Sequence, residues 1–149
     1  MRSTFIYFLL LTLTACASGE SKDPRLEEAA ALHDKALQAE EALRPLLDSL
    51  EQRHNQISIQ GRALTEAEQS FVQSVSALQQ RFERWKEERM EVPGHEHTHD
   101  HDNGQGHDHT DGKKMPEATP EHMLNIQRES LDSILALKGE AEVLVNEKL

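Results

Sequence analysis

The sequence predicts an all-α protein: an antiparallel three-helix bundle of coiled-coil-like character, with a disordered histidine-rich loop between helices two and three. Three observations carry this prediction. Apolar residues recur at three- and four-residue steps through three separate stretches. Each stretch opens on a sequence suited to capping a helix. Aromatic residues make up only 4% of the chain and charged residues 29%, a composition that suits narrow helical stripes better than a broad enzyme core.

The first helix is expected over about residues 24–60. Asp23-Pro24 opens it, with a side-chain acceptor for the first turn and a proline whose fixed φ suits the first helical position. Ala29, Leu32, Ala36, Ala39, Leu43, Leu46, Leu50 and Ile57 form its apolar stripe, with Arg53 as a polar exception. Glu27, Glu28, Glu40, Glu41 and Glu51 read as the solvent side, where Glu40 and Arg44 form an i,i+4 pair. Pro45 lies inside this pattern and predicts a kink or a break, because it lacks an amide donor and crowds the carbonyl of Glu41. Gly61 suits the C-terminal cap.

Thr65-Glu66-Ala67-Glu68 is a capping-box sequence and starts a second helix over about residues 65–91. Its stripe is Phe71, Val75, Leu78, Phe82, Trp85 and Arg89, and Val92-Pro93-Gly94 stops it. Thr119-Pro120-Glu121 starts the third helix, over about residues 120–147. Leu124, Leu131, Ile134, Leu135, Ala141, Leu144 and Val145 give its apolar face. A short link between the first two helices makes them antiparallel neighbours. The link between helices two and three then lies at the end where helix one begins. The stripes are narrow, so a homodimer is one expected assembly.

The most distinctive chemistry lies in the loop, residues 92–118. It holds His95, His97, His99, His101, His107 and His109, six of the nine histidines, interleaved with carboxylates that include Asp100 and Asp102. Imidazole is the commonest protein ligand for zinc, nickel and copper(II). The loop has no thiol, which disfavours copper(I). The expected ligands are these six histidines with Asp100 and Asp102, and the expected cargo is a labile divalent transition metal, zinc first. Many ligand sets compete in so regular a run, so exchangeable binding of moderate affinity is expected, fading in mild acid as imidazoles protonate near pH ~6.5. The same residues also read as a hydrophilic spacer. A second, discrete site from His33, Glu88 and His122 is conceivable at the loop end of the bundle, although no Glu-x-x-His pair supports it. His54 falls at the other end and has no evident role.

The amino-terminal region completes the picture. Arg2 precedes an apolar run over residues 5–13, too short to span a bilayer but suited to a signal-peptide core. It ends in Leu13-Thr14-Ala15-Cys16, which resembles the lipobox of bacterial lipoproteins. The resemblance implies removal of residues 1–15, a diacylglycerol and acyl lipid on Cys16, and anchorage in the bacterial cell envelope. Ala17 after the cysteine implies the outer membrane ahead of the inner one. Residues 16–23 then form the lipidated cysteine and a small, polar tether, followed by the helical domain over residues 24–149. Cys16 is the only cysteine, so no intramolecular disulfide can form.

A formal net charge of −11 repels phosphate backbones and attracts cations, which argues against nucleic acid as a partner. There is no nucleophile elbow, phosphate loop or helical His-Glu-x-x-His motif, and an enzyme is not expected. His33-Asp34, together with Phe82-Glu83-Arg84-Trp85 before a histidine-rich linker, resembles small helical lipoproteins of Bacteroidota. That likeness implies no activity. The sequence thus predicts a lipid-anchored metal-binding protein that buffers divalent metal or hands it to an envelope transporter. The competing expectation is an adaptor lipoprotein whose helices dock an envelope protein, with the loop as a spacer.

Overall fold

A computed structural model describes residues 23–95 and 118–148. Among the described residues three helices carry the fold: α1 (Pro24–Ser58), α2 (Glu66–Glu88) and α3 (Pro120–Asn146). Each begins where capping chemistry places it. Asp23 accepts the amide of Arg25 at 2.9 Å and has Pro24 at the first helical position. The Arg25 guanidinium also binds this carboxylate and, with the Arg25 amide, holds it down at about 2. At α2 the capping box is complete: Thr65 Oγ1 accepts the Glu68 amide, and Glu68 accepts the Thr65 amide at 2.8 Å. Thr119 Oγ1 accepts the His122 amide to open α3. Beyond α1, Gly61 takes a φ of 67°, the left-handed region in which a side chain would be strained.

Sequential helices are antiparallel. Arg53 of α1 lies over the Phe71 ring of α2, while near the other end Arg89 of the chain leaving α2 binds Glu40. Between α2 and α3, Arg81 binds Glu140 and the Trp85 indole donates to the Ser130 carbonyl at 3.0 Å. It follows that α1 and α3 run parallel, and they form the closest helix pair. The buried alanines Ala29, Ala36, Ala39 and Ala141 explain this intimacy, since small side chains let two backbones approach. By contrast, α2 meets both partners through Phe71, Phe82 and Trp85, whose bulk keeps its backbone farther away while the space between is filled.

Of the kink or break expected at Pro45, the break does not occur: α1 runs continuously from Pro24 to Ser58. Pro45 is exposed, so its missing hydrogen bond faces water, while Leu43, Leu47 and Leu50 hold the opposite face in the core. A second correction concerns Leu135, which points outward at 48% exposure while Leu137 takes the core position. Arg53, the exception in the α1 stripe, has a specific task. Its guanidinium donates to the carbonyls of Leu144 (3.5 Å) and Glu147 (2.7 Å), supplying partners to the C-terminal end of α3.

Burial also exposes a register that a count of apolar residues misses. On α1 the core positions run Ala29, His33, Ala36, Glu40, Leu43, Leu47 and Leu50, alternating steps of four and three. On α3 they run Met123, Gln127, Ile134, Leu137, Ala141 and Leu144 on the same period, with half-buried Ser130 filling its place. That is the seam of a coiled coil, with polar residues at four of its positions: His33, Glu40, Gln127 and Ser130.

Candidate functional site

The in-register polar residues all belong to one end of the bundle, where α1 begins, α2 ends and α3 begins. His33 is fully buried, and its Nδ1 lies 3.1 Å from Gln127 Oε1 across the α1–α3 seam. Gln127 spends its amide nitrogen on the Met90 carbonyl at 2.8 Å. Its oxygen is therefore the acceptor and His33 Nδ1 the donor. This relay ties both parallel helices to the chain that leaves α2. His33 is thus a buried partner of Gln127, which corrects its expected place in a metal site with Glu88 and His122.

Glu40 is the second departure. Read as part of the solvent face, it is buried and accepts from Arg44 and, at 2.7 Å, from Arg89 Nη1. Arg89 stacks toward the Trp85 ring at 5.7 Å and is only 10% exposed. Two guanidinium groups thus neutralise one buried carboxylate, which is the condition for holding such a charge away from water.

Beyond Arg89 the chain crosses the end of the bundle as a short strap. Glu91 Oε2 comes within 3.7 Å of His33 Nε2. Val92 is buried with Ala29, Met123 and Leu124, a small apolar cluster separate from the main core. Pro93 and Gly94 then turn the chain. The His95 amide donates to the Val92 carbonyl at 3.1 Å, and Gly94 has a φ of 73°, the arrangement that Pro-Gly favours at the centre of a type II turn. The turn delivers the His95 ring to α1, with Nε2 3.0 Å from Asp34 Oδ1. A carboxylate only accepts, so the imidazole donates. Both side chains are partly open to solvent, at 28% for His95 and 44% for Asp34.

Ala118, the first described residue after the histidine-rich segment, packs against the same small cluster as Val92. The chain therefore enters and leaves that segment beside the start of α1. His97, His99, His101, His107, His109, Asp100, Asp102 and Cys16 lie outside the described residues. The set of His33, Glu88 and His122 is not assembled: His33 is buried against Gln127, while Glu88 and His122 are exposed. Among the described residues no group of three or more histidine, cysteine or carboxylate side chains is placed to hold a metal ion. Also among them, no helix is long and apolar enough to cross a membrane.

Sequence reasoning singled out His95 and the Glu40–Arg44 pair, but not the contacts of His95 with Asp34, of Glu40 with Arg89, or of His33 with Gln127. The usable signal was the seven-residue recurrence of His33, Glu40 and Leu47, a coiled-coil position visible once polar residues are allowed in the seam. No protein-family model matches this chain, and comparisons with curated proteins and with solved structures give no match.

Proposed function

We propose that this is a lipid-anchored envelope protein that binds divalent transition metal, zinc first, through its histidine-rich segment. In this role it buffers the ion or passes it to a neighbouring transporter. The observation that carries the reading is the density of imidazole. Six histidines with interleaved carboxylates lie within residues 95–109, in a chain of net charge −11. The bundle supports it by opening and closing that segment at Val92 and Ala118, against the first turns of α1. A lipid on Cys16 precedes α1 by few residues, so it would keep captured metal within a few nanometres of the membrane at ~3.3–3.6 Å per extended residue. The helices are the mount and the segment is the binding element.

The test is native protein extracted from membranes and purified without affinity resin. Mass spectrometry of its amino-terminal peptide is expected to show an acylated Cys16, and elemental analysis to show bound zinc. In calorimetry, zinc is expected to give heat with the full chain and far less after deletion of residues 94–111. An unmodified Cys16 overturns the anchor. Equal heats from the two proteins overturn the metal role.

A further inference from the structure

Asp34 stands outside the histidine-rich segment, on a helix of the bundle, yet the fold brings it to the first imidazole of that segment. We propose that Asp34 and His95 form a two-donor site for a divalent transition cation, in which the rigid bundle supplies a carboxylate ligand. The proposal rests on the metal-binding reading above and names the point where binding begins.

The geometry suits an ion as well as it suits a proton. Two donors of a tetrahedral zinc ion lie about 3.3 Å apart when each bond is about 2.0–2.1 Å. His95 Nε2 and Asp34 Oδ1 are already 3.0 Å apart, so admitting the ion requires an opening of a few tenths of an ångström. The imidazole stays neutral in the exchange: its proton, on Nε2 while it donates to Asp34, is carried on Nδ1 once the metal holds Nε2. Nitrogen and carboxylate oxygen together suit zinc, nickel and copper(II).

Each donor is held from a different direction. Asp34 follows buried His33 on α1, and that neighbour is bonded to α3 through Gln127. His95 closes the Pro93-Gly94 turn, which is pinned by buried Val92. Neither side chain needs to search, so the pair binds with less ordering cost than two donors on a free chain. Both are partly open to solvent, at 28% and 44%, so an ion can reach them.

Zinc calorimetry on the full chain tests this with three proteins: wild type, Asp34→Asn and Asp34→Ala. Asparagine retains an oxygen that can accept from His95, so it preserves the contact while removing the anionic ligand. We expect both variants to lose at least about tenfold in affinity for the first equivalent of zinc, with unchanged helical circular dichroism and melting. In wild type, nitrogen NMR is expected to show the His95 proton moving from Nε2 to Nδ1 with that equivalent. An Asp34→Asn variant that binds as wild type reduces Asp34 to a hydrogen-bond partner and overturns the site while leaving metal binding by the segment intact. Absence of zinc uptake by the wild-type chain overturns both readings.

Discussion

The two halves of the bundle use the same seam positions for different purposes. Away from the strap, Leu43, Leu47 and Leu50 of α1 meet Phe71, Val75 and Leu78 of α2 and Ile134, Leu137 and Ala141 of α3, an apolar cluster continuous along the bundle. Toward the strap, the corresponding positions hold His33, Glu40 and Gln127, and Arg89 reaches in from the end of α2. The apolar half buries area without direction, so it stabilises many alignments of the helices about equally well. A polar seam residue is satisfied only opposite its partner. His33 and Gln127 therefore favour one register between α1 and α3, as buried polar residues do in coiled coils. One half supplies stability and the other supplies position, and the position is what brings His95 to Asp34.

The largest effect that tests this contrast is in the apolar half. Phe71 is 1% exposed and belongs to the core cluster to which all three helices contribute. Phe71→Ala is expected to cost about 3–5 kcal/mol in urea unfolding, through lost transfer energy and the cavity left behind. A loss well below that would mean the strap end, not the apolar half, dominates stability.

The next effect lies at the buried ion pair. Glu40→Ala leaves Arg89 largely desolvated without its carboxylate, at an expected cost of about 3 kcal/mol. Replacing Glu40 and Arg89 together by methionine is expected to recover most of it, because the desolvation cost of both charges disappears. If the double variant is as unstable as the single one, the pair contributes through attraction and not by avoiding an orphaned charge.

The smallest effect sharpens the contrast from the opposite end, where charge serves a cap instead of a seam. The Glu68 carboxyl is lowered from its ordinary 4.5 to about 2, first by the Arg62 guanidinium and next by the Thr65 amide. A depressed acid stabilises the fold fully above the unfolded-state value, and the contribution disappears as pH falls through the folded-state value. The wild-type urea midpoint is therefore expected to fall faster between pH 4.5 and about 2 than that of Glu68→Gln. Parallel slopes would show that the carboxylate is not preferentially charged in the folded state.

Much of this fold was legible in the chain, for local reasons. Asp23-Pro24, Thr65 with Glu68, and Thr119-Pro120 each place a helix start within a residue, because capping depends only on neighbours in sequence. The α2 stripe of Phe71, Val75, Leu78, Phe82 and Trp85 is buried throughout, since five large apolar residues on one face admit one orientation. The α1 stripe was less legible. Its alanines mark a face weakly, and Leu47 was hidden by the neighbouring Leu46. The candidate site was least legible, because Asp34 looks like any surface carboxylate until the strap is folded over it.

The sequence alone determined that there are three helices, where each begins, that the first two are antiparallel, and that six imidazoles lie in one connecting segment. These follow from interactions within a few residues or within one helical face. The tertiary structure decided that α1 and α3 form the intimate parallel pair, that Pro45 is tolerated, and that Leu135 faces outward. It also decided that His33 meets Gln127 and His95 meets Asp34. Those outcomes depend on how whole helices align, and an alignment is chosen by partners 61 and 94 residues apart that no local pattern couples.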